Sequence, residues 1–173
     1  MRELLRKRLA DRSEEGFTLI ELMVVVLIIA ILLAIAIPSF LGARGKAQDR
    51  AAQSNARNAL TAEKTYYTDQ QQYVDASSAA NIALMKGIEP SLDYKAASPA
   101  QGSKDIMLTV ASTAAPNPVV TNAIVCVTSV SANGTVFTIK DIAAGQFAGT
   151  YFSKAAAPTC NDAAVGGDWL DKW

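Results

Sequence analysis

Glu21 is a carboxylate followed by an apolar run, residues 22–43, that carries no further charge. An ionised side chain at the centre of a membrane helix costs on the order of 2.5–3.5 kcal/mol by insertion scales, and less near the interface. The chemistry open to Glu21 is therefore ion pairing, and no Lys or Arg lies within the run to supply the partner. Cys126 and Cys160 lie late in the chain, where an exported domain would meet an oxidising compartment and join them as one disulfide. Two buried free thiols packing as small hydrophobes are the alternative. There is no histidine, which removes Ser-His and Cys-His nucleophilic machinery and the commonest metal ligand. No acid/base pair, nucleophile with a base, or phosphate-cradling loop is recognisable, so no enzyme and no cofactor is expected. Asp162, Asp168 and Asp171 offer hard oxygen atoms, but without EF-hand spacing they read as a solvated acidic tail rather than a metal site. Trp169 and Trp173 beside them read as packing aromatics.

The elements around Glu21 are those of a membrane-anchored chain. Residues 1–16 carry Arg2, Arg6, Lys7, Arg8 and Arg12, and the positive-inside bias keeps that end in the cytoplasm and sends the rest across. Residues 22–43 number 22, against about 20 needed to span hydrocarbon at 1.5 Å per residue. The run is apolar on every face, which suits lipid or the centre of a helical assembly equally well. Ala34-Ile35-Ala36 has the pattern of a secretory cleavage site, yet the run continues well past it. Pro38 removes one backbone hydrogen bond and Gly42 costs about 1 kcal/mol relative to alanine, so a kink or local unwinding is expected there. The 173 residues, 50% hydrophobic, allow one membrane segment and one modest domain, and sixteen Lys/Arg against sixteen Asp/Glu name no polyanionic partner.

Gly16-Phe17-Thr18-Leu19-Ile20-Glu21-Leu22-Met23-Val24-Val25-Val26, followed by a long apolar helix containing Pro38, resembles the N-terminal signature of type IV pilins and their pseudopilin relatives. The likeness is strong over residues 16–57 and one of layout beyond. It implies that a prepilin peptidase cuts between Gly16 and Phe17, that Phe17 becomes the N-methylated first residue, and that Glu21 pairs with the terminal amine of a neighbouring subunit. The physics is coherent, because glycine presents no side chain to a protease and the cut creates a cation four residues from the lone acid. A buried ion pair adds little net stability but loses about 3–5 kcal/mol when one partner is removed, so it works as a register device among helices that would otherwise bundle in any stagger. Taken alone, Glu21 reads as a side chain snorkelling at the interface of a plain anchor. The family also often has a C-terminal disulfide bounding an exposed loop, with which the Cys126 and Cys160 spacing is compatible.

The chain after the apolar run then falls into an expected order. An amphipathic helix over 44–70 carries a small-apolar stripe, Ala52, Ala56, Ala59 or Leu60, and Tyr66, packed on a sheet. Together with residues 17–43 it would make one helix roughly 75–80 Å long at 1.5 Å per residue, half of which must protrude. Residues 71–105 read as a connecting loop, punctuated by Gly87, Pro90, Pro99 and Gly102, with a helical turn over 81–86. Strand signals over 106–111, 122–130, 135–141 and 150–153 predict a three- or four-stranded antiparallel sheet, with Ala132-Asn133-Gly134 as the hairpin turn. Asn133-Gly134-Thr135 is also a glycosylation sequon, for which the turn is sufficient explanation.

The expectation is an α+β pilin fold: a leader over 1–16, a membrane or filament-core helix over 17–43, and a globular domain over 44–173. The function it implies is a major pilin, stored in the inner membrane with its C-terminal domain outside and polymerised into a surface filament. Implied partners are copies of itself, the prepilin peptidase, the membrane, and an inner-membrane assembly platform with its ATPase. A pseudopilin or minor pilin is the rival within the family. The cysteines and missing calcium pattern weigh against the major pseudopilin, and Glu21 against the minor subunit that lacks this acid. Nucleic acid would need Lys86, Lys95, Lys104, Lys140 and Lys154 to converge, and scattered lysines are usually solvated surface.

Overall fold

The computed structural model describes residues 16–97, 99–102, 104–113, 120–155, 158–161 and 169–173. The first helix, α1 (Leu19–Gln70), is a single element of 52 residues. It runs on through Pro38 and Gly42 without a break, so the unwinding expected there is not present. Proline is tolerated because a chain of neighbouring hydrogen bonds survives on both sides of the one it removes. Contacts divide the chain into two units, Met1–Gly42 and Ala43–Trp173. In the first, every large apolar side chain from Leu19 to Leu41 is exposed, and the segment is long and apolar enough to cross a membrane.

In the second unit, α1 buries Ala52, Ala56, Ala59, Leu60, Ala62 and Glu63. Four of the six are alanines, which bring the helix backbone close to what it packs on. Tyr66, expected in the stripe, is only partly buried. The helix packs on a sheet of five strands in sequential order: β1 (Asp93–Lys95), β2 (Asp105–Ala111), β3 (Ile124–Val130), β4 (Val136–Ile142) and β5 (Gly149–Ser153). The last four strands pair antiparallel and lie where the sequence pattern placed them, within two residues at each end. The structure adds β1, which pairs parallel with β2, and a second helix, α2 (Ala79–Ile88), capped by the Ser78 side chain accepting the Asn81 N–H. Residues 71–105 are therefore not a plain connector. Three residues, two of them charged, gave too short a signal for β1, while the Ser78 cap is the signal by which α2 could have been seen at its full ten residues.

Alternation along the strands sorts the two faces of the sheet. Ile106, Leu108, Val125, Val127 and Ile139 join the α1 alanines, Tyr73, Met85, Leu92 and Tyr94 in one core. Cys126, Thr128, Thr138 and Lys140 alternate with them and so lie on the opposite face, where the Thr128 and Thr138 hydroxyls are 3.0 Å apart. All of β3 is buried, because both its faces are covered. The β3–β4 hairpin closes with the Gly134 N–H donating to the Ser131 carbonyl at 3.0 Å and the Ser131 N–H to the Thr135 carbonyl at 2.9 Å. Gly134 takes φ of 87°, the left-handed position that completes a three-residue hairpin loop.

Cys126 on β3 is bonded to Cys160, with Cα atoms 5.9 Å apart and a sequence separation of 34. The bridge ties the C-terminal segment to the outer face of the sheet. Closing a loop of that size stabilises by about 3–4 kcal/mol in the chain-entropy treatment. Cys126→Ser combined with Cys160→Ser is expected to lose that amount in denaturant unfolding, and the wild type to approach the double variant when reductant is added. Coincident curves with and without reductant would show that the bridge does not carry this stability.

Candidate functional site

The N-terminal end of α1 is a reciprocal cap. Glu21 Oε2 accepts the Thr18 backbone N–H at 2.9 Å and the Thr18 hydroxyl at 2.8 Å, and the Thr18 Oγ1 accepts the Glu21 N–H at 3.2 Å. Thr18 thus occupies the cap position and Glu21 the third helical position of a capping box, which satisfies backbone donors that the first turn leaves orphaned. The Thr-x-x-Glu spacing was legible in the sequence, although the membrane context drew attention to the acid alone. The cap matters for chemistry because it fixes the carboxylate at the helix N-terminus, with both accepted bonds on Oε2. Oε1 has no hydrogen-bond partner among the described residues.

Gly16 and Phe17 immediately precede this cap, outside the helix, and Phe17 is 89% exposed. A Cβ at Gly16 would meet nothing within 4 Å. The fold of this chain therefore does not require glycine there, and a requirement for it must come from whatever binds the peptide bond that follows. The same holds at Gly42, where a Cβ would also meet nothing within 4 Å.

The globular unit contains polar chemistry that the sequence did not announce. Asp141 on β4, only 5% exposed, receives the hydroxyls of Tyr73 and Thr150 and the Lys64 ammonium at 2.8 Å. Burial, then the hydrogen bond and charge of Asp141, push the Tyr73 hydroxyl well above its usual pKa, so it remains a donor. On the other sheet face, Lys140 lies over Trp169 at 4.2 Å and Tyr151 at 5.2 Å. Trp173 packs edge-on against Phe137 and Phe152, donates its Nε1–H to the Ser153 carbonyl at 3.2 Å, and lies under Arg57 of α1 at 5.0 Å. Both tryptophans thus serve packing, as read from the sequence.

Of the five lysines that would have to converge on nucleic acid, Lys140 is buried and Lys86 pairs with Asp93 at 2.6 Å. The bond and charge of Lys86, with Lys95 and Lys104 farther off, hold the Asp93 carboxyl below its usual range. The five therefore do not all converge on one exposed patch. No group of three or more potential ligands gathers for a metal ion among the described residues, while Asp162 and Asp168 lie outside them.

Comparison with known proteins bears on the capped end. Residues 11–37 match the family described as the prokaryotic N-terminal methylation motif. Over 72 residues the chain is 40% identical to the type IV major pilin protein PilA of Myxococcus xanthus, covering 42% of this chain and 33% of that one. Its N-terminal segment is similar to that of a type IV major pilin. Over 73 residues the chain is also 41% identical to the type IV wide pilus major component PilA4 of Thermus thermophilus, covering 42% of this chain and 55% of that one. The match thus spans between a third and just over half the length of these relatives. No solved structure matches the chain. The motif encloses Gly16, Phe17, Glu21 and the first nineteen residues of α1.

Proposed function

We propose that this chain is a major pilin: a subunit cut between Gly16 and Phe17, N-methylated on Phe17, held in the inner membrane by α1, and polymerised into a type IV pilus filament. The observation that carries the reading is the capped acid at the head of an apolar helix whose side chains are exposed from Leu19 to Leu41. So much apolar surface must be covered, by lipid before assembly and by copies of the same helix after it. Glu21 then selects the stagger, because its carboxylate demands the cationic amine of a neighbour in an otherwise uniform bundle. The globular unit faces outward as the filament wall. The prepilin peptidase acts at the cytoplasmic face, and a membrane platform with its ATPase drives extraction. Both named relatives are major pilus components, which favours this reading over a pseudopilin or minor pilin.

Mass spectrometry of the protein from its native cells is expected to give a chain that begins at Phe17, carries one added methyl group, and is two hydrogens lighter through the Cys126–Cys160 bond. A mature protein that retains Met1 and its leader would overturn the assignment.

A further inference from the structure

Glu63 is the acid that the proposed function leaves unused. It is 0% exposed, on the face of α1 that packs into the globular unit. Its Oε2 accepts the N–H of Val74 at 3.1 Å, supplying an acceptor for a buried amide at the start of the segment that leaves the helix. Its Oε1 is buried with no hydrogen-bond partner. The ion pairs among the described residues, Lys64–Asp141 and Lys86–Asp93, do not include it. The ionisable groups facing it are Asp75 and Tyr73 from the segment after α1 and Tyr94 from β1. None of these is a cation. The Tyr94 hydroxyl, too, is buried without a partner.

A carboxylate in this place would be an uncompensated buried charge beside a second carboxylate, whereas a neutral acid keeps the Val74 bond and turns the orphaned Oε1 into a donor. We infer that Glu63 carries a proton in the folded subunit and serves as an alkali-released latch between α1 and residues 73–76. Below the release point the latch is closed by an uncharged hydrogen bond. Above it, the proton passes to solvent base, the charge demands water, and the segment after α1 loosens from the helix. Burial supports this, pushing the Glu63 carboxyl up to about 8 against the lowering effect of the Val74 N–H and with the charge of Asp75 adding to the rise.

The sign follows from linkage. The unfolded chain loses this proton near 4.5 and the folded one near 8, so stability is whole below the first value, falls as pH climbs between them, and is level above the second. Each pH unit inside that window shifts the unfolding constant by about tenfold, roughly a thousandfold or more across it.

The test uses the full chain in detergent micelles, unfolded by guanidinium from about pH 4 to pH 9, with the wild type compared with Glu63→Gln. Glutamine mimics the neutral acid and keeps an acceptor for Val74. The unfolding constant of the wild type, divided by that of the variant, is expected to rise about a thousandfold with pH. Carbon NMR of the wild-type Glu63 carboxyl, which needs no variant to fold, is expected to show a transition near pH 8. A ratio independent of pH, or a carboxyl titrating near 4.5, overturns the latch. Neither outcome depends on whether the chain polymerises.

Discussion

Glu21→Ala is expected to leave cleavage at Gly16–Phe17 intact and to abolish filaments, or reduce them to a trace, in electron micrographs of sheared surface material. In the proposed assembly the acid is the lone charge in a helix end that leaves lipid and enters a bundle of identical helices. Removing it deletes the feature that distinguishes one stagger from the next. The capping box gives alanine a second effect, a loss of about 1 kcal/mol of helix initiation at the N-terminus. That local loss is small beside the loss of register, since the remainder of α1 continues for many turns. The Thr18 bonds and the proposed amine are separable demands on the same carboxylate, because both Thr18 bonds fall on Oε2.

Glu21→Gln separates them. Glutamine can close a capping box as glutamate does, yet it brings no charge to a neighbouring amine. The glutamine variant is therefore expected to be processed and helical like the wild type but to fail in assembly like the alanine variant. Normal filaments from Glu21→Gln would mean that the cap, not the ion pair, is what assembly needs, and normal filaments from Glu21→Ala would remove Glu21 from assembly altogether.

Periodicity carries information about faces, and this explains what was legible in the chain. The long helix was readable because apolar residues without interruption, followed by alanines at helical spacing, admit no other element of that length. The four antiparallel strands were readable because Val, Ile, Thr and Phe cluster between turn residues. By contrast, β1 is three residues long, and its place beside β2 is set by tertiary pairing that no local pattern records. A glutamate in an amphipathic helix belongs by default on the polar face, and nothing in the local pattern around Glu63 says otherwise. Only the path of residues 73–76, which brings the Val74 N–H over it, makes that position a buried one. Lys140 and Asp141 are buried for the same kind of reason. Charged residues in a strand suggest an exposed edge, but Trp169 of the C-terminal segment lies over Lys140, and Tyr73, Thr150 and Lys64 gather on Asp141. The motif at Gly16 to Glu21 was legible because it is local: residue types at fixed spacing, independent of the rest of the fold.

Asp141→Ala is expected to destabilise the globular unit by about 3–5 kcal/mol in denaturant unfolding of the full chain at neutral pH. The estimate rests on the hydroxyls more than on the salt bridge. The Lys64 side chain is 49% exposed, so its pairing with Asp141 is worth little, within about 1 kcal/mol. Tyr73 is 2% exposed, however, and Asp141 is the acceptor of its hydroxyl. A hydrogen bond to a charged group contributes about 1.5–3 kcal/mol, and leaving a buried donor unpaired costs about 1–3 kcal/mol more. Lys64→Met should therefore cost far less than Asp141→Ala, and Asp141→Asn, which keeps one acceptor oxygen, should fall between them. In Tyr73→Phe the expected loss overlaps that of Asp141→Ala, so the double variant should lose less than the sum of the two. Strict additivity, or equal losses from Lys64→Met and Asp141→Ala, would show that the carboxylate does not act through Tyr73. In the proposed filament the consequence reaches the outer wall. Tyr73 lies just past the end of α1 and Asp141 in the second-last strand, so this bond fastens the helix exit to the sheet.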